Sequence, residues 1–214
     1  MSIKLVANSM RIVSLIFFSV LFFSFATGCT AQQVSIFDQI VNNKELSKLS
    51  QICPSELVQA KDISFDDKTD FCASNQQSCL SRCLRGSSDH CFGLANHLNT
   101  SKDSEKYSRP LYAKSWELGL AAGCTNTAAG LQHYQGPHDT ECYTNTFKKS
   151  CDLKDAWGCT MYAYNLVEGK GVEKNTDLAL DALKGSCRFG EADPACSAGL
   201  ELSARILKGE FSEK

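Results

Sequence analysis

The sequence predicts an all-α fold, an α/α solenoid built from stacked helical hairpins, and three observations predict it. Cysteines recur in close pairs: Cys83 and Cys91 enclose seven residues, as do Cys151 and Cys159, while Cys187 and Cys196 enclose eight. The pairs also keep a period. With Trp116 in place of a cysteine, first members fall at 83, 116, 151 and 187 and second members at 91, 124, 159 and 196, so every step lies between 33 and 37 residues. Two series agreeing across four copies mark a repeat array. Within each period, apolar residues recur at helical spacing and are interrupted once near the middle.

Composition sets the outer bounds. The 214 residues hold 12 cysteines and 4 prolines, with 43% apolar residues and a net charge of −2. That apolar share excludes wholesale disorder. The near-zero charge gives no case for nucleic-acid binding, which needs a clustered basic surface.

Residues 1–28 read as an export signal. They contain two bases, Lys4 and Arg11, no acid, and an apolar stretch at 12–26 holding five of the twelve phenylalanines. The stretch is too short for a comfortable membrane span, which takes about 20 residues, and small residues follow it, as in a secretory signal. Removing it leaves 20 bases against 24 acids. The end of the segment, Ala26, Thr27, Gly28 and Cys29, resembles the bacterial lipobox, which implies cleavage before a lipidated Cys29. Ordinary cleavage with Cys29 in a disulfide and an uncleaved anchor are the alternatives. Thr30 follows in place of the Asp that retains such proteins at the inner membrane. The expected address is therefore an outer-membrane lipoprotein facing periplasm or surface, otherwise a periplasmic or secreted protein.

Residues 29–45 are expected to be a tether, and 46–214 the repeat domain. A first, imperfect hairpin is expected over about 46–87, with helices near 47–60 and 67–83; hairpins over about 88–120, 121–155 and 156–191 follow, then a capping helix at 192–208. The fourth hairpin shows the pattern best. Tyr162, Ala163, Leu166 and Val167 share a helical spacing; Gly169 and Gly171 then interrupt; Asn175 or Thr176 offers an N-cap oxygen; and Leu180, Leu183 and Cys187 share one face of a second helix.

The run from Ser150 to Cys187, SCDLKDAWGCTMYAYNLVEGKGVEKNTDLALDALKGSC, resembles the Sel-one-like repeat, a tetratricopeptide-related hairpin, and more narrowly its cysteine-rich branch among secreted bacterial proteins. The resemblance implies a right-handed solenoid stapled by disulfides, in which a cysteine closing one unit bonds to a cysteine opening the next. Carried onto this chain, it implies Cys83 with Cys91, Cys151 with Cys159, and Cys187 with Cys196. It also implies a scaffold for protein–protein or cell-envelope interactions. A lone hairpin cannot bury its apolar face, so neighbours must stack.

Cys53, Cys72, Cys79, Cys124 and Cys142 remain besides Cys29. A turn near residues 62–63 would bring Cys53 to Cys72, and Cys124 can pair with Cys142 if the third hairpin is irregular. With Cys29 lipidated, one of the eleven other thiols has no partner in the chain.

No enzymatic motif stands out. Zinc sites favour gaps of two to four between paired ligands, unlike the gaps of seven and eight here. Cys79 and Cys83 sit one helical turn apart with His90 nearby, a pattern more often structural than metal-binding, and neither metal nor cofactor is expected. The β-lactam-binding or β-lactamase-like alternative that the family brings needs Ser with Lys one turn on. The nearest imitation is Thr146 with Lys149. The expected partner is a protein or peptide of the cell envelope, with membrane attachment through the lipid anchor; candidate groove aromatics are Trp116, Trp157, Tyr107, Tyr112, Tyr134, Tyr143, Tyr162 and Tyr164.

Overall fold

A computed structural model describes residues 34–57, 65–134 and 140–211. Residues 1–28 and Cys29, to which the export signal and lipidation are assigned, lie outside the described residues. The described residues hold eleven α-helices, three short 3-10 segments and no strand.

The array proper begins with α3 (Thr69–Ser74) and α4 (Gln76–Leu84), followed by α5 (Ser88–Leu98), α6 (Glu105–Glu117), α7 (Ala121–Tyr134), α8 (Thr140–Asp152), α9 (Ala156–Glu168) and α10 (Thr176–Leu183). A 3-10 turn, Lys184–Cys187, links α10 to the last helix, α11 (Pro194–Leu207). Each helix from α4 to α10 packs on its sequence neighbours, and α9 also meets α7 and α11. This is the packing of an α/α solenoid.

Local chemistry fixes the helix ends. Asp155 caps α9 by accepting from Gly158 N at 2.7 Å, and Gly169, at φ 68°, ends the helix in a left-handed cap. Of the two cap candidates before α10, Asn175 takes the role, accepting from Leu178 N at 2.8 Å. Asp193 caps α11, with Pro194 opening its first turn.

Disulfides close three of the junctions between one helix pair and the next: Cys83–Cys91, Cys151–Cys159 and Cys187–Cys196. A fourth bond, Cys72–Cys79, braces α3 against α4. Buried hydroxyls repeat with the same period. Thr125 on α7 meets Ser150 on α8 at 2.5 Å, and Thr160 on α9 meets Ser186 at 2.8 Å, so each pair satisfies two buried oxygens where helices converge.

The N-terminal part departs most from expectation. Within the expected tether, Ile36–Val41 form α1, and Lys44–Leu49 form α2. Ile40 is 1% exposed and shares a core with Leu46, Cys83, Cys91 and Leu111, so this stretch is part of the fold. The helix expected near 47–60 ends at Leu49; residues 50–53 run as turn and extended chain into a 3-10 turn at Pro54–Glu56. Pro54 favours such a start but cannot continue a helix from upstream. Lys114 anchors α2 to α6 by donating to Glu45 as well as to Glu117.

The pairing of Cys53 with Cys72 is corrected. Cys53 bonds to Cys142, 89 positions away, at a Cα–Cα distance of 5.8 Å. The physical reason is that residues 53–57 do not turn back towards α3. They cross α6, α7 and α8 as a strap, which brings Cys53 to the first turn of α8. The same bond removes Cys142 as a partner for Cys124, which is buried as a free thiol among the described residues.

Candidate functional site

A groove opens among the described residues one unit beyond the surface that receives the strap. Helices α8 and α10 both pack on α9 yet hardly touch each other, and the space between them is a cavity of about 610 Å³. Its floor is the Cys151–Cys159 disulfide with Tyr162 of α9; Leu178 and Ala182 of α10 form one wall. Gly185 keeps it open. A Cβ there would lie 2.5 Å from Cys159 Sγ, so the disulfide permits no side chain at this position. Leu178 is 42% exposed, an apolar side chain left without cover on the wall.

Charge at the rim is uneven. Lys148 pairs with Asp152 at 2.8 Å, a hydrogen bond that raises the lysine's pKa, and Asp181 pairs with Lys184 at 2.8 Å. Both acids of the groove therefore have a cation. Arg188 donates to the main-chain carbonyl of Lys154 at 2.8 Å, and among the described residues neither Arg188 nor Lys154 has a carboxylate within ion-pair distance. Arg188 acts at longer range on the buried Asp155 carboxylate, so the groove joins an apolar wall to two cations, Lys154 and Arg188, that no carboxylate among the described residues contacts directly. The arrangement sets an apolar contact, Leu178, beside two hydrogen-bond donors of positive charge.

Beneath the rim, Asp155 accepts from Thr125 Oγ1 and Gly158 N, both at 2.7 Å. Desolvation outweighs these bonds and raises its pKa. Burial likewise raises the pKa of Tyr162 on the groove floor.

The remaining candidates fall elsewhere. Thr146 and Lys149, nearest to a serine–lysine pair, are both committed to the strap. Thr146 Oγ1 accepts from Ser55 N at 3.1 Å, and Lys149 Nζ donates to the carbonyls of Ser55 and Leu57 at 2.9 Å, which gives no activated nucleophile there. Cys79 and Cys83 are each spent in a disulfide, while His90 bonds Ser87 at 2.7 Å, so the three form no metal-ligating group among the described residues. Among the aromatics, Trp116 is fully buried, Tyr112 and Tyr143 are core, and Trp157 is 44% exposed outside the cavity lining. Tyr162 alone of them lines the groove.

No family model and no curated protein matches this sequence. The chain is similar to cysteine rich protein B of Helicobacter pylori. That solved structure aligns with 24% identity and a TM-score of 0.45, over 58% of this chain and 91% of the other. The five disulfides and sequential helix pairs agree with the disulfide-stapled α/α solenoid expected from the sequence.

Sequence reasoning missed the groove because its elements are distributed. Leu178, Gly185 and Arg188 look like ordinary helix and turn residues until α8 places Lys148 and Asp152 opposite them. One signal was readable: three residues past each first-series position stand Gly86, Gly119, Lys154 and Gly190, a glycine rule broken once.

Proposed function

We propose that the chain is an exported, lipid-anchored repeat scaffold, attached through Cys29, that binds a protein partner of the cell envelope through the groove between α8 and α10. The single observation carrying this reading is the open groove itself, with exposed Leu178 beside the cationic Lys154 and Arg188. Five disulfides support export, because such bonds persist in oxidising compartments. Repeat arrays hold partners on surfaces shared between neighbouring units, and this groove spans two of them.

Site-specific photocrosslinking in the cell of origin tests the reading. A photoreactive residue at Ala182 should capture a defined envelope protein, while one at Leu200, exposed on α11, should not. Equal capture from both positions, or none from Ala182, would contradict it.

A further inference from the structure

We infer that the groove between α8 and α10 takes a short peptide segment carrying an apolar side chain beside a carboxylate, seated as the chain's own residues 53–57 sit in the preceding groove. This rests on the partner-binding reading above and names the chemistry of the partner.

The strap is an internal ligand. Trp116 Nε1 donates to Pro54 O at 2.9 Å, Lys149 donates to Ser55 O and Leu57 O, Thr146 accepts from Ser55 N, and Cys142 holds Cys53 covalently. Leu57 lies in one apolar cluster with Ala113, Trp116 and Cys124. Advancing each of these six receiving residues by one repeat, 35 or 36 positions, gives Cys151 for Trp116, Gly185 for Lys149, Ala182 for Thr146, Leu178 for Cys142, Lys148 for Ala113 and Cys159 for Cys124. All six line the open cavity. The surface that receives the strap therefore recurs one unit later with nothing on it.

The substitutions say what differs about its occupant. Leu178 replaces a covalent bond by an apolar contact, which makes attachment reversible. The donors that hold main-chain carbonyls of the strap, the Trp116 indole and the Lys149 ammonium, become a disulfide sulfur and a glycine, which donate nothing. The donors of the open groove are instead Lys154 and Arg188 at the rim, both cationic and neither in direct contact with a carboxylate among the described residues, and these select a side-chain carboxylate. The strap shows the corresponding geometry: Leu57 is buried while its neighbour Glu56 is exposed.

Lys154 supplies an independent observation. It has φ 66°, where its counterparts Gly86, Gly119 and Gly190 have φ 99°, 107° and 93°. A left-handed turn is thus required at every junction, and only at the open groove does a side chain bear its strain. Among the described residues Lys154 is the one non-glycine with positive φ.

Panning a phage-displayed library of random short peptides on the oxidised chain, freed of its signal, tests the inference. Selected peptides should share an apolar residue next to or near Asp or Glu. Their binding should weaken at least about tenfold in Leu178→Glu and in the double variant Lys154→Gly with Arg188→Gln. Both variants alter exposed positions, and retained melting temperature will show that they fold. Peptides without a shared carboxylate, or binding indifferent to these substitutions, would overturn it. If Ala182 still crosslinks a partner in cells in that case, the partner-binding reading stands and only the assigned chemistry falls.

Discussion

The indole Nε1 of Trp116 donates a 2.9 Å hydrogen bond to the carbonyl of Pro54, 62 positions upstream. Trp116 stands where the neighbouring junctions have the first cysteine of a disulfide, and it is fully buried. One junction has therefore exchanged a covalent staple for an anchor that ties the N-terminal strap to the array. Its would-be partner, Cys124, is left a buried thiol whose pKa desolvation pushes well up.

Replacing Trp116 by Phe keeps most of the volume and removes the donor. Pro54 is buried, so its carbonyl loses its partner, which costs about 1–3 kcal/mol. Urea unfolding of the oxidised protein measures this, and unchanged stability would show that the bond does not anchor the strap.

The disulfides should rank by the loops they close. Cys53–Cys142 spans 89 positions and Cys151–Cys159 spans 8. In the chain-entropy model the first contributes about 4–5 kcal/mol and the second about 2–3 kcal/mol. Paired Cys→Ser variants, compared by denaturant unfolding, should lose stability in that order; the reverse order would mean that the strap contributes little to the folded array.

Helix pairs and their period were legible in the sequence because they rest on local signals: apolar spacing, caps such as Asn175 and Asp193, and cysteines at constant intervals. The strap was not. Cys53 and Cys142 are joined by a path over three helices, and nothing in the neighbourhood of either residue encodes it. Equidistance from a supposed turn gave Cys72 instead, which bonds seven positions away to Cys79 within its own pair of helices. Ile36–Val41 read as tether because a helix of six residues has too few turns to show a period, although Ile40 fills the core. The groove depends on which side chains face one another across α9, and only its odd member, Lys154, left a trace.

Lys154→Gly should relieve the left-handed strain and raise stability by about 1 kcal/mol while weakening peptide binding. Those opposite signs mark a residue kept for its side chain. Differential scanning calorimetry of the free variant measures the first; a lowered melting temperature would place the role of Lys154 in folding.

Asp155 gives a pH dependence with a definite sign. Burial raises its pKa in the folded state, so folding favours the protonated carboxyl. The resulting stabilisation is fully present below the ordinary Asp value of about 3.9 and is lost as pH rises through the raised folded value. Relative to Asp155→Asn, which keeps a capping oxygen without the charge, the native protein should therefore gain stability as pH falls from neutral to about 4. Urea titrations of both proteins across that range check it, and a constant or opposite difference would contradict the assigned cause.

Residues 53–57 fill one groove of the array and leave its repeat open. Non-reducing peptide mapping by mass spectrometry of the native protein tests this most directly. The expected map holds a peptide pair joined through Cys53 and Cys142, the bonds Cys72–Cys79, Cys83–Cys91, Cys151–Cys159 and Cys187–Cys196, and a reduced Cys124. A bond from Cys53 to Cys72, or from Cys124 to Cys142, would contradict it, because the strap would then not cross α8 and the open groove would have lost its template.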